Sequence, residues 1–152
     1  MKVLNYFDSE RRQHWLRQIQ SCDWRAGKLL HEWLRDGLFF KETGPSSKLL
    51  LLTEGERLLS FCTYAERDDI QPTERTPWIG FVYTFPAYRG HRYVGLLFEE
   101  VERIAREAHV SEVYISTDHI GLYEKYGCSF LCMMNDMHGN PSRVYVKRIL
   151  ET

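Results

Sequence analysis

The first third of the chain carries apolar residues at helical spacing. After Asp23 they recur at i, i+3, i+4, i+7 and i+8, which predicts an amphipathic helix with its apolar face at Ala26, Leu29, Leu30, Trp33 and Leu34. Asp23 is placed to cap this helix and Gly37 to end it. Asp8 and Ser9 are placed to cap an earlier helix, whose apolar residues are Trp15, Leu16 and Ile19.

From Lys48 onward the pattern changes to strands separated by turns. Runs rich in β-branched and aromatic residues predict strands at 48–53, 57–66, 78–85, 111–117, 128–134 and 143–150. A helix is predicted over 92–108, with an apolar stripe at Tyr93, Leu97, Val101, Ile104 and Ala108. A short helix over 119–126, ended by Gly127, completes the pattern.

The order of these elements is α-α-β-β-β-α-β-α-β-β, which is typical of a mixed α/β domain. The chain has 152 residues, of which 43% are hydrophobic and 27% charged. These values fit one globular domain spanning 1–152 and exclude collagen-like, disordered and membrane-spanning classes.

The net charge and the absence of targeting signals limit the classes of partner that the protein could bind. Twenty Lys and Arg balance 21 Asp and Glu, for a net charge of −1, whereas a nucleic-acid-binding protein normally presents a basic face. No apolar run approaches the roughly 18 residues that a membrane span needs, and the N-terminus does not resemble a signal peptide. We therefore expect a cytoplasmic protein with neither nucleic acid nor membrane as partner.

The four cysteines, Cys22, Cys62, Cys128 and Cys132, form no CxxC pair. The six histidines show no metal-ligand spacing, so no metal is expected. Reduced, partly buried thiols are the favoured interpretation, with a zinc site or a disulfide as the alternatives.

The turn that follows the third predicted strand carries the first chemical signal. A strand, a tight turn and a helix start succeed one another, and helix N-termini present backbone amides that suit phosphate groups. Gly90 allows a close approach of the backbone to a ligand, and Arg89, His91 and Arg92 add positive potential. The alternative is a basic turn that only caps the helix.

Two motifs in this order resemble the GNAT family of N-acetyltransferases. The first is Pro86-x-Tyr88-Arg89-Gly90, and the second, some thirty residues later, is Gly121-Leu122-Tyr123-Glu124-Lys125-Tyr126-Gly127. The similarity covers Trp78 to Phe130 well and the rest of the chain more loosely. It implies a twisted, mostly antiparallel sheet flanked by helices, with acetyl-coenzyme A as co-substrate.

The resemblance also implies which residues bind that co-substrate. Backbone amides would hold its pyrophosphate at Arg89, Gly90, His91, Arg92, Tyr93, Val94 and Gly95. Pantetheine would lie where two strands splay apart, beside Val82, Tyr83, Thr84, Ser116 and His119. Two positions depart from the family pattern, because Arg92 stands where glycine is usual and Val94 where glycine or alanine is usual. We expect an ordinary negative φ at Arg92, a phosphate contact from its guanidinium, and relief of helix–sheet packing at Gly95.

Catalytic roles follow from the same resemblance. Tyr123 would be the general acid that protonates the departing thiolate, and its alternative role is a packing aromatic. Glu66 is the candidate general base, with Asp68 and Asp69 as neighbouring alternatives, and any of these carboxylates could instead be a solvated loop charge. His119 and His138 are rivals because histidine titrates near neutral pH.

The function implied is transfer of an acetyl group to an amine by direct attack in a ternary complex. The acceptor would be a small amine or amino-sugar compound contacting Asp23 and Trp24, although core packing is the more ordinary role for Trp24. A protein or peptide N-acetyltransferase, a non-catalytic acyl-coenzyme A-binding module and a plain structural domain are the alternatives. An aminoacyl-tRNA acetyltransferase is disfavoured because the chain is not basic. The quaternary state is expected to be a monomer or a homodimer.

Overall fold

The computed structural model describes residues 1–151, which form one sheet of seven strands with four α-helices. The strands are β1 (Lys2–Asn5), β2 (Lys48–Glu54), β3 (Arg57–Ala65), β4 (Trp78–Thr84), β5 (Glu112–Thr117), β6 (Cys128–Asn135) and β7 (Pro141–Arg148). The helices are α1 (Arg12–Gln20), α2 (Arg25–Arg35), α3 (Phe39–Thr43) and α4 (Val94–Glu107). Along the described chain, no helix has the length and apolar character needed to cross a membrane.

The sheet order is β1-β2-β3-β4-β5-β7-β6, with β4 and β5 parallel and every other neighbouring pair antiparallel. The predicted mixed α/β class and the mostly antiparallel sheet are confirmed. The parallel pair needs a crossover, and α4 supplies it between β4 and β5.

Helices cover both faces of the sheet, and β2 shows why. Its four consecutive leucines are all buried, with Leu50 and Leu52 in the core beneath α4 and Leu49 and Leu51 in the core beneath α1 and α2. Alternate strand residues face opposite sides, so an unbroken apolar run indicates a strand covered on both faces. Burying each leucine stabilises the fold by roughly 1.5–3 kcal/mol.

Five details differ from the sequence predictions. The strand β1 and the helix α3 were not predicted, because four or five residues are too few to show periodicity. The predicted helix over 119–126 is only a 3-10 turn, Tyr123–Tyr126. Asp23 does not cap α2, whose N-cap is Trp24 and has no side-chain cap. Asp8 does not cap α1, whose N-cap is Arg11, although the Ser9 hydroxyl accepts a hydrogen bond from the Arg11 amide at 3.0 Å.

A bulge in β4 gives the sheet its functional shape. The register with β3 runs from Thr63↔Gly80 to Phe61↔Tyr83, so three steps on β4 oppose two on β3. Phe81, inside the bulge, has φ of +49°. Beyond the bulge the pairing of β4 with β5 has already ended at Ile79↔Ile115, which leaves a gap between the two strands.

Candidate active site

The gap between β4 and β5 exposes backbone groups of β4. The Phe85 amide donates to the Leu59 carbonyl at 3.1 Å, so Phe85 faces β3. Backbone groups alternate along an antiparallel strand, which directs those of Val82 and Thr84 toward the gap and those of Tyr83 toward β3. The Thr84 carbonyl accepts a hydrogen bond from Arg89 Nε at 2.9 Å. Amides at Val82 and Thr84 therefore suit a polar, extended ligand lying in the gap.

The turn before α4 concentrates free backbone donors. Within residues 1–151, none of the five consecutive amides from Gly90 to Val94 donates a hydrogen bond to the protein. Gly90 and Arg92 have φ of +89° and +57°, and left-handed residues of this kind curl successive amides into a concave nest. α4 begins immediately afterwards with no side-chain cap at Tyr93, so its dipole adds to the positive potential. This turn can bind an anion such as a pyrophosphate.

The basic side chains of the turn contact protein groups. The prediction of a negative φ at Arg92 is wrong. Its guanidinium donates to the Lys125 carbonyl at 3.2 Å and lies over the Tyr126 ring, contacts that offset the cost of the left-handed backbone. Arg89 lies over the ring of Tyr83, and the ring of His91 stacks on that of Tyr93. An anion in this turn would therefore meet free amides more than free guanidinium groups.

The prediction that Gly95 relieves helix–sheet packing is wrong. A Cβ at this position would make an ordinary van der Waals contact, 3.4 Å from the Tyr126 ring of the 3-10 turn, and would meet no atom of the sheet at closer range. The same turn is tied to α4 by Lys147, whose Nζ donates to the Tyr126 carbonyl and lies 2.9 Å from Glu102 Oε1.

Tyr123 is held by this turn at the bottom of a cavity. Its side chain is 6% exposed and its ring stacks on Phe98 with centroids 6.0 Å apart. Among the described residues its hydroxyl has no hydrogen-bond partner, and burial raises its pKa above the usual 10. A buried phenol that stays protonated and lacks a protein partner is available to donate to a ligand.

Two cavities meet beneath the β4 bulge. The first, of about 420 Å³, contains Tyr123 and is also lined by Trp24, Val82, Ser116, Asp118 and His119. The second, of about 650 Å³, lies between α2 and the loop before β4, with walls that include Leu29, Trp33, Glu66, Trp78 and His138. Asp68, Asp69 and Phe81 line both cavities and so mark their junction.

The Asp68 carboxyl group occupies space that only a glycine leaves free. A Cβ on Gly80 would clash with Asp68 Oδ1, so the absence of a side chain at Gly80 admits the carboxyl group. Poor solvation there raises the pKa of Asp68 to about 7, with a further contribution from the charge of Asp69 against an opposing hydrogen bond from the Asp69 amide. A carboxylate with this pKa can accept a proton at neutral pH.

Glu66 lies elsewhere. Its Oε2 accepts the Ser46 amide at 2.9 Å and it packs against Gly44, so its carboxylate holds the loop before β2. It lines the second cavity but not the one that contains Tyr123. From the sequence Asp68 is only an alternative to Glu66, because nothing in the local pattern shows which loop carboxylate meets Gly80.

The remaining candidates border the first cavity or support it. The Ser116 hydroxyl is 2.6 Å from that of Ser142, and the His119 amide donates to Thr117 Oγ1 at 3.0 Å. Asp23 accepts a hydrogen bond from the Tyr83 hydroxyl at 3.0 Å. The Trp24 ring stacks on that of Tyr83, and Trp24 also lines the first cavity, so packing and ligand contact are both open to it. Nowhere in residues 1–151 do three or more metal-ligating side chains cluster.

Comparisons with known proteins identify the family and the fold. The sequence profile of the acetyltransferase (GNAT) family matches residues 12–128. An aminoglycoside 6'-N-acetyltransferase solved with coenzyme A superposes with a TM-score of 0.70 at 11% identity, over 100% of this chain and 99% of that one. The aminoglycoside 6'-N-acetyltransferase from Enterococcus faecium gives 0.68 at 12% identity, over 100% and 99%.

A third protein of known structure acts on a different kind of acceptor. It is an acetyl transferase from Salmonella typhimurium that modifies the N-terminal serine of a 50S ribosomal subunit protein, with a TM-score of 0.67 at 10% identity over 97% and 94% of the two chains. No curated protein matches the chain. At these identities the structural likeness establishes the shared fold.

Proposed function

The chain belongs to the GNAT family of acetyltransferases, and from that premise we propose that it transfers the acetyl group of acetyl-coenzyme A to a small-molecule amine. The observation that carries the proposal is the nest of five unpartnered amides from Gly90 to Val94, on the same side of the sheet as the Tyr123 hydroxyl.

The residues present fit acetyl-coenzyme A along its length. The nest suits the pyrophosphate, and the gap beside Val82 and Thr84 offers amides to the pantetheine arm. A ligand laid from the nest into the gap leads toward the first cavity, where Tyr123 and Asp68 lie. The thioester would supply the acetyl group there, and the protein's own side chains would manage the protons.

The two side chains divide those protons between them. Asp68 accepts a proton from the ammonium form of the acceptor, which frees the nitrogen lone pair to form the new C–N bond at the thioester carbonyl carbon. The nitrogen loses a second proton to water as the amide forms. Tyr123 donates a hydrogen bond, or its proton, to the sulfur as the C–S bond breaks, and the phenolate regains a proton from that water, so the proton held by Asp68 is the one released. The sum is one amide and one coenzyme A thiol from one thioester and one ammonium ion, with one proton released.

A small acceptor is supported by the second cavity. Its volume of about 650 Å³ is in the range of sites for small organic ligands, which is roughly 300–1,000 Å³. A peptide N-terminus is the second candidate, since a structural neighbour modifies one. If a peptide with an N-terminal serine is acetylated faster than any small amine, a peptide N-terminus is the favoured acceptor.

Cofactor binding is the first test. Coenzyme A at about 100 times its dissociation constant should add about 2.7 kcal/mol to the free energy of unfolding, measured as a rise in Tm. A melt unchanged by millimolar coenzyme A would remove the proposal. A shifted melt without thiol release on any amine would indicate a binding module.

Replacing Gly90 by valine should weaken coenzyme A binding at least tenfold. Open space surrounds this position, so the expected effect comes from φ of +89°, which a β-branched residue disfavours and which shapes the nest. Gly55→Val is the matched control, because Gly55 has φ of +60° and open space in the β2–β3 turn, away from the nest. Equal affinity of the two variants, measured by titration calorimetry, would contradict the role of the nest.

A further inference from the structure

Apolar side chains form one part of the wall of the second cavity, and charged residues such as Glu66, Arg67 and Arg75 form another. Leu29 and Trp33 reach it from α2 and Phe81 from β4, with Trp33 and Phe81 in edge-to-face contact at 5.5 Å. Leu29 is 41% exposed and Met137, at the cavity rim, is 59% exposed. Apolar side chains exposed around one concavity favour an apolar ligand group.

Phe81 supplies a second observation. Its φ of +49° is one that a bulky residue rarely adopts, and such conformations cluster at functional sites. The bulge turns Phe81 toward Trp24 and Trp33 and makes it a wall of both cavities. The strained backbone therefore places an aromatic ring where the acceptor would pass from one cavity to the other.

The charged residues that line both cavities, Asp68 and Asp69, are both carboxylates. The first cavity adds two more carboxylates, Asp118 and Asp136, and His119 is the one basic side chain among its described lining residues. The second cavity carries both signs. Of its basic residues Lys41, Arg67 and Arg75, Arg67 donates to the Lys41 carbonyl and Arg75 lies over the Tyr114 ring. Such a junction attracts an ammonium group and repels a carboxylate.

We infer that the acceptor is a primary amine on a short linker to an aromatic or branched aliphatic group, without an anionic substituent. The apolar group occupies the second cavity between Trp33 and Phe81, and the ammonium lies at the junction beside Asp68. This inference rests on the proposed acetyl transfer and specifies its substrate class.

Thiol release with acetyl-coenzyme A and four amines tests the inference. 2-Phenylethylamine should exceed ethanolamine at least tenfold in kcat/KM, because only the former carries an apolar body. It should exceed phenylalanine about 100-fold, because the two differ by one carboxylate. It should also exceed the aminoglycoside kanamycin, whose polar rings suit the apolar side chains of Leu29, Trp33 and Phe81 poorly.

A variant localises the effect. Trp33→Leu should raise the KM for 2-phenylethylamine about tenfold and leave the KM for acetyl-coenzyme A unchanged, since Trp33 lines only the second cavity. Phe40→Leu is the matched control, being an aromatic that is 40% exposed on α3 and packs on Phe7 outside both cavities.

Each failure points to a different error. Turnover of ethanolamine, phenylalanine or kanamycin as fast as that of 2-phenylethylamine overturns the acceptor class and leaves the acetyl transfer standing. Coenzyme A binding with no turnover of any of the four amines overturns the proposed transfer and the inference with it. Equal KM values for the Trp33→Leu and Phe40→Leu variants overturn the assignment of the second cavity.

Discussion

Replacing Asp68 by asparagine is expected to lower kcat by about 10²- to 10³-fold, with little change in coenzyme A affinity. Asp68 lies at the junction of the two cavities, where an acceptor nitrogen would meet the thioester, and an amide there cannot accept the proton. Steady-state kinetics with the best amine, together with coenzyme A titration, measure the two quantities separately.

The pH profile identifies the group further. Because the pKa of Asp68 is about 7, kcat of the wild-type protein should rise with pH around a midpoint of about 7 and level off above it, as the carboxyl group loses its proton. The Asp68→Asn variant should lack this bend. If the bend and the rate survive in Asp68→Asn but disappear in Glu66→Gln, the base is Glu66.

Thermal stability provides the control against unfolding. The folded-state pKa of Asp68 lies above its usual 3.8, so folding favours the neutral form, and stability is lost as pH rises from about 4 through 7. Asparagine stays neutral over that interval. The variant should therefore melt no lower than the wild type at pH 8, and a lower Tm would mean that the lost activity reflects a damaged fold.

Replacing Tyr123 by phenylalanine should lower kcat about 10²-fold, the lower end of the range for general acid catalysis. Full proton transfer from a phenol to a thiolate is uphill by roughly 1.5 pKa units even with reference values, or about 2 kcal/mol, and water can donate instead. The loss is therefore partial. Burial raises the pKa of Tyr123 further, so its hydroxyl stays protonated near neutral pH. Tyr123 should therefore cause no fall of kcat with rising pH below pH 10.

The effect on structure should be small. The Tyr123 ring stacks on Phe98, which phenylalanine preserves, and its hydroxyl has no partner among the described residues to lose. Tyr126→Phe is the matched control, since Tyr126 lies on the same 3-10 turn and also packs on Phe98. Wild-type turnover in Tyr123→Phe would make it a packing aromatic, and a parallel loss of coenzyme A affinity would make it a cofactor contact.

Hydrophobic periodicity was sufficient to predict the long helices and strands, because the period shows which face of an element is buried. The apolar stripes of α2 and α4 and the hairpin of β2 and β3 are such local patterns, and the structure has all four elements. β1 lacked a signal of its own, because its four residues become a strand only by pairing with β2.

The candidate site likewise contains parts that contiguous motifs predict and parts that depend on tertiary contacts. The resemblance to a family located the turn from Arg89 to Gly95 and Tyr123, because both belong to contiguous motifs whose backbone course is set locally. Arg92 shows the limit of that argument, since its φ of +57° is accepted through contacts with Lys125 and Tyr126, some thirty residues away.

The choice between Glu66 and Asp68 depends on tertiary structure. A single residue separates these carboxylates in the chain, yet Glu66 holds the loop at Ser46 and Asp68 opens onto both cavities. What separates them is the one-residue bulge in β4, which sets Gly80 against Asp68 and turns Phe81 toward α2. Apolar patterning fixes which residues are buried, but the direction of a loop carboxylate is decided by the strand packed against it.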